Sequence, residues 1–225
     1  MSGELHWKGM KSDVKRHVKQ CEICQRNKYE ATKPVGVLQP LPIPNKILKD
    51  WTMDFIEGLP KARGVNVIMV VVDRLTKYAY FITLKHPFSA KQVAATFIDK
   101  VVRKHDIPKS IISDRDKIFL RNFWKELFAT MGTILKRSTT FHPQTDGQTE
   151  KVNQCLETYL RCFCNEQSHK WDQFIPWAEL WYNTTFHAST KTTPFEAVFG
   201  RSPPPLLSYG DRKTLNNEVE SMLKS

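Results

Sequence analysis

The chain has 225 residues, a formal net charge of +11 and 40% hydrophobic residues, enough for one packed domain with appendages. No run of about 18 apolar residues offers a membrane span, and the polar, basic N-terminus lacks the apolar core of a secretory signal. The basic balance bears on partners, nucleic acid first, because neutralising phosphates releases counterions; five cysteines without a secretory signal read as reduced thiols or metal ligands.

Residues 1–28 read as a basic helical piece ending in Cys21-Glu22-Ile23-Cys24. This spacing lets two thiolates hold one zinc from a tight knuckle, but a structural zinc site needs four ligands. His6 and His17 are the nearby imidazoles. Residues 29–48 carry Pro34, Pro40, Pro42 and Pro44, which favour an extended polyproline II linker and mark a domain boundary.

Residues 50–84 read as three strands. The run 65–72 is almost unbroken in apolar, largely β-branched residues and suits a central strand covered on both faces. Asp73 is a turn residue and stays outside the catalytic set. Ser89 predicts an N-cap with Gln92 as capping-box partner. Ala90, Val93, Ala94, Phe97, Ile98 and Val101 then give one apolar helical face, and Pro108 stops the segment.

Ser110-Ile111-Ile112 reads as a short buried strand delivering Asp114 to its end. Residues 119–131 repeat the helical pattern with Leu120, Phe123, Trp124, Leu127 and Phe128, and Gly132 ends it. A short strand is predicted at 133–136. The loop His142-Pro143-Gln144-Thr145-Asp146-Gly147 hands over to a helix with Glu150 in its first turn. Its expected apolar stripe is Val152, Cys155, Leu156, Tyr159, Leu160 and Phe163, with Glu150, Asn153, Gln154, Glu157 and Arg161 opposite. Cys155 and Cys162 are then core thiols, separated by roughly 10 Å of helix rise, too far for a disulfide. Trp171, Phe174, Ala178 and Trp181 predict the packing stripe of another helix, and Thr193-Pro194 opens a last short one. Pro203-Pro204-Pro205 and a polar tail follow. The order of elements suits an α/β fold, a mixed sheet with helices on its faces.

Asp54, in the strand-like run Trp51-Thr52-Met53-Asp54-Phe55-Ile56, together with Asp114 and Glu150 supplies three carboxylates from separate elements. Brought to one point they make a cage for divalent metal, since hard cations take oxygen ligands and keep positions open for phosphate. Asp114 and Glu150 are separated by 35 residues. This arrangement resembles the Asp, Asp, 35-residue gap, Glu signature of retroviral and retrotransposon integrases. Four local motifs resemble the gypsy-type branch: Asp54-Phe55-Ile56-Glu57-Gly58-Leu59-Pro60, Val72-Asp73-Arg74-Leu75-Thr76-Lys77-Tyr78, Ser113-Asp114-Arg115-Asp116, and the run from His142 to Glu150. The likeness covers roughly residues 5 to 205.

The resemblance implies a ribonuclease H-like five-stranded mixed sheet flanked by helices, behind a small partial N-terminal zinc-finger-like segment. It implies a division into finger segment 1–28, linker 29–48, catalytic core 49–205 and tail 206–225. The family's finger histidines lie upstream of His6 and His17, so Cys21 and Cys24 are read as its second half, and the chain as a truncated copy. The implied chemistry is metal-dependent trimming of DNA 3′ ends and transfer of the freed 3′-hydroxyl to a target phosphodiester. Asp54, Asp114 and Glu150 would be the catalytic residues and the ligands of magnesium or manganese. Gln144, Gln148, Lys151 and Asn153 are candidate contacts to double-stranded DNA; His142 and Asp116 are read as supporting. Kinship further implies a homo-oligomer on DNA, acting in the nucleus. The competing readings are an inactive DNA-binding relic, a ribonuclease H nuclease, and a zinc-finger module.

Overall fold

The computed structural model describes residues 8–26, 43–113, 117–130, 147–164 and 167–204. The expected strand at 133–136 lies outside them. Two short helices come first, α1 (Met10–Gln20) and α2 (Glu22–Arg26), joined through Cys21. The described part of the core then runs β1 (Asp50–Ile56), β2 (Val67–Asp73), β3 (Ala79–Leu84), α3 (Ala90–Phe97), α4 (Arg103–His105), β4 (Ser110–Ile112), α5 (Lys117–Thr130), α6 (Gly147–Cys164), α7 (Trp171–Thr184) and α8 (Pro194–Phe199). A π-helical turn, Ile98–Val102, joins α3 to α4.

Among the described residues the sheet has four strands in the order β3-β2-β1-β4. β1 and β3 flank β2 antiparallel, and β4 lies parallel to β1. Every residue of β2 is buried, as its unbroken apolar run requires of a strand covered on both faces.

Strand side chains alternate between faces, so the sheet sorts its residues into two cores. Trp51 and Met53 of β1, with Val67, Met69 and Val71 of β2, pack against Val93, Phe97, Phe123, Trp124 and Leu127 of α3 and α5. Ile56, Ile68, Val70, Val72 and Phe81 pack against Val152, Leu156 and Leu160 of α6 and Trp171, Ile175 and Tyr182 of α7. Asp54 has the even parity of the second set and therefore sits on the α6 side.

Local chemistry sets the helix ends. Ser89 Oγ accepts from Gln92 N, and Gln92 Oε1 accepts from Ser89 N, completing the capping box that starts α3. Thr193 caps α8, Pro194 occupies its first turn and Gly200 closes it at φ 67°. Asp73 is fully buried at the end of β2, and its carboxylate accepts from Leu48 N, Thr76 N and Thr76 Oγ1. It holds a turn, as the sequence implies. Burial still raises its pKa against those hydrogen bonds.

Two helical stripes differ from the sequence expectation. On α6 the buried line runs Thr149, Val152, Leu156, Leu160, Cys164, while Cys155 and Phe163 are exposed. Steps of three and four residues from Thr149 give the narrow line nearest the sheet, and Cys155 and Phe163 fall beside it. Cys155 is thus not a core thiol, Cys162 is half-buried, and Cys164 is the buried one. On α7 the buried residues are Trp171, Ile175, Ala178, Tyr182 and Asn183, and Trp181 is exposed. Both candidate stripes satisfy helical spacing. The one containing Tyr182 is selected because that ring meets Phe81 edge-on at 5.7 Å.

Among the described residues β3 is an edge strand, and side chains of α7 close it. Asn183 Oδ1 accepts from Ala79 N and Asn183 Nδ2 donates to Ala79 O, both at 2.8 Å. One turn earlier, Glu179 Oε2 accepts from Phe81 N at 2.8 Å. These side chains stand where a further strand's backbone would, which removes part of the hazard of an open sheet edge. The start of α7 is tied down by Trp171 Nε1, which donates to Pro60 O at 2.7 Å.

Candidate carboxylate centre

Asp54 lies in the second half of β1, opposite Val70 of β2, and is half-buried. Its Oδ1 accepts from Phe55 N at 2.7 Å. Its Oδ2 accepts from Asn153 Nδ2 at 2.5 Å, a contact between residues 99 apart in the chain. Asn153 is on α6, one turn after Glu150. Three residues of helix rise about 4.5 Å and return nearly to the same side. The hydrogen bond therefore pins the first turns of α6, and Glu150 with them, against the middle of β1.

Glu150 is exposed in the first turn of α6, and Gln154 Nε2 donates to its Oε1 at 3.5 Å. A carboxylate there is favoured by the positive end of the helix dipole. Beside it, Thr149 is buried and anchors the turn, while Lys151 is exposed.

Asp114 lies outside the described residues, but the strand that leads to it does not. β4 pairs with β1 in a parallel register of residues sixty apart: Asp50 with Ser110, Trp51 with Ile111, Thr52 with Ile112. The same interval separates Asp54 from Asp114. Ser113, the residue before Asp114, is buried. Among the described residues no three His, Cys, Asp or Glu form a metal-holding group; of the three expected ligands, Asp54 and Glu150 are described and Asp114 is not.

The remaining candidates divide. Gln144, His142 and Asp116 lie outside the described residues, and Gln148 is described only as part of α6. Asn153, expected on the polar face as a DNA contact, is half-buried against Asp54. Sequence periodicity missed this because Asn153 sits on the flank of α6, between the buried line and solvent. The three-residue step from Glu150 was the available signal. Cys21 caps the C-terminal end of α1 and is half-buried; Cys24 lies in α2. His17 is exposed on α1.

The donor set fits a hard divalent cation. Asp54 and Glu150 offer carboxylate oxygens, the ligand type such ions take.

Comparison with known proteins gives three likenesses. Residues 1–30 match the family described as the integrase zinc binding domain. The Tf2-3 and Tf2-4 transposon polyproteins of Schizosaccharomyces pombe (strain 972 / ATCC 24843) are each 37% identical over 216 residues, 94% of this chain. The chain spans 16% of the length of these polyproteins. Among solved structures, the simian T-cell lymphotropic virus intasome in complex with PP2A regulatory subunit B56 gamma aligns with a TM-score of 0.56 at 16% identity, covering 91% of this chain and 72% of that one. The HTLV-2 integrase catalytic core domain in complex with magnesium, in its trimeric form, aligns with a TM-score of 0.50 at 18% identity, covering 66% of this chain and 95% of that one. At those identities the likeness is one of fold, and the fold is that of integrase catalytic cores. The finger match, the sequence and the sheet agree: the chain is similar to these retrotransposon polyproteins and has the fold of integrase catalytic cores.

Proposed function

We propose that this chain catalyses metal-dependent DNA integration: trimming of element 3′ ends and transfer of the freed 3′-hydroxyl to a target phosphodiester. The observation that carries the reading is the Asn153–Asp54 hydrogen bond, which holds the turn bearing Glu150 beside β1. Asp114, two residues past the end of β4 in the sequence, is proposed as the third carboxylate.

Asp54, Asp114 and Glu150 would hold magnesium or manganese. When bound, the ions neutralise charge on the phosphate and raise the reactivity of the attacking oxygen. The chain's own part is to fix the carboxylates on rigid elements, a sheet and a packed helix. The positive end of α6 and the exposed Lys151 favour an approaching phosphate. Gln144 and Gln148 are proposed to contact double-stranded DNA. Attack by water or a DNA hydroxyl needs no nucleophilic side chain.

The division into residues 1–28, 29–48, 49–205 and 206–225 belongs to this proposal, as do self-association on DNA and action in the nucleus. Cys21 and Cys24 would serve zinc as two thiolates of a four-ligand set.

Strand transfer on short duplexes ending in element sequence, with magnesium, manganese and calcium compared, tests the reading. Asp54→Asn or Glu150→Gln should abolish product while leaving duplex binding within about twofold. Full activity in either variant would refute the assignment. Cleavage of an RNA–DNA hybrid without strand transfer would point to a ribonuclease H nuclease instead.

A further inference from the structure

Asn153 is the described side chain that bridges the two carboxylate-bearing elements. We infer that it is a positioning residue for Asp54, setting how that carboxylate is presented to the divalent ions, and is not a DNA contact. The inference rests on the proposed function and deepens it.

The direction of the hydrogen bond follows from chemistry. An ionised carboxylate only accepts, and an amide presents one donor and one acceptor group. Turning the Asn153 amide over would set its Oδ1 against Asp54 Oδ2, two acceptors with no proton between them. Nδ2 therefore faces Asp54.

Asp54 is consequently held from two sides. Phe55 N fixes Oδ1 from within β1, and Asn153 Nδ2 fixes Oδ2 from α6. Together they restrict rotation of the carboxylate about its terminal bond. Asn153 Oδ1 is buried and has no hydrogen-bond partner among the described residues. An orphaned buried acceptor is unfavourable, so the side chain is not placed there for its own hydrogen bonding. Half-buried on the flank of α6, it is also poorly exposed to a DNA backbone, unlike Lys151. Its place one turn from Glu150 means that one contact sets the position of both acids.

Groups that orient metal ligands from behind typically change metal affinity or activity 10–100-fold when removed. The test uses the full chain and reads Mg²⁺ binding by calorimetry, beside strand transfer, duplex affinity and melting temperature. For Asn153→Ala we expect the Mg²⁺ dissociation constant to rise about tenfold or more, and strand transfer to recover partly with excess ion. Duplex affinity without divalent ion should stay within about twofold. Asn153→Asp keeps the shape but replaces the donor with a second anion, so at neutral pH it should present Asp54 no better than Asn153→Ala does. A filler of space would instead tolerate the isosteric change. Superimposable Mg²⁺ titrations for both folded variants and the parent would overturn the inference, and so would a loss of duplex affinity with Mg²⁺ binding unchanged. A parent chain that binds Mg²⁺ but transfers no strand counts against the proposed function, while the binding titrations still decide the role of Asn153.

Discussion

Replacing Asn183 tests how the layer that carries the candidate centre is fastened to the sheet. Asn183 is 4% exposed and its partner Ala79 is fully buried, so water cannot substitute for the lost amide. Asn183→Ala leaves one N–H and one C=O of Ala79 unpaired. Each such buried group costs about 1–3 kcal/mol, which puts the loss at about 4 kcal/mol. For a chain of this length 1 kcal/mol moves Tm by about 2–4 °C, so the melting temperature should fall by about 8–16 °C. Asn183→Asp separates the two bonds. It can still accept from Ala79 N, but an ionised oxygen would face Ala79 O. Its destabilisation should therefore be larger at pH 7 than at pH 4, where a protonated carboxyl regains a donor. The assay is thermal unfolding followed by circular dichroism at both pH values. A fall below about 3 °C for Asn183→Ala, or no pH dependence for Asn183→Asp, would refute the reasoning that α7 closes the edge of β3.

Leu156→Ala removes a fully buried contact of α6 with the sheet and should cost about 2–5 kcal/mol, read as a lowered urea midpoint. Burial holds the pKa of His105 and of His187 below the ordinary value of 6.5. The unfolded chain therefore binds more protons, and the stability these residues contribute is present above pH 6.5 and lost as pH falls through their folded values. Replacing both histidines by Gln should remove a destabilisation that the parent gains between pH 7.5 and 5, and identical pH profiles of the urea midpoint for variant and parent would contradict the burial of both rings. Glu179 shows the opposite sign: burial raises its pKa, so its contribution is full below the ordinary value of 4.5 and is lost as pH rises through the folded value. Glu179→Gln keeps an acceptor for Phe81 N and should flatten that part of the profile without lowering stability at pH 8.

Much of the fold could be read from single residues. The unbroken run of β2 demanded a strand covered on both faces, Ser89 with Gln92 marked the start of α3, and Thr193-Pro194 marked α8. Each of these signals is local, carried by backbone chemistry or by burial on both sides. What escaped depends on neighbours supplied by distant parts of the chain. Helical spacing on α7 allowed Phe174 with Trp181 as readily as Ile175 with Tyr182, and contact with Phe81 decided between them. The roles of Glu179 and Asn183 could not be found without knowing that β3 is an edge strand in the described sheet. The polar face expected for α6 includes Asn153, because helical periodicity does not distinguish a flank that meets solvent from one that meets Asp54. The strand leading towards Asp114 was legible as a short apolar run, and it pairs with β1 in a parallel register of residues sixty apart.

The central claim is that Asp54, Asp114 and Glu150 share divalent ions. Anomalous scattering from crystals of the full chain grown with Mn²⁺ addresses it most directly. We expect one or two peaks, each ligated by oxygens of these residues at distances of about 2.0–2.2 Å, with Asn153 still donating to Asp54. Peaks located elsewhere, or an Asp114 carboxylate beyond reach of the ion bound by Asp54, would contradict it.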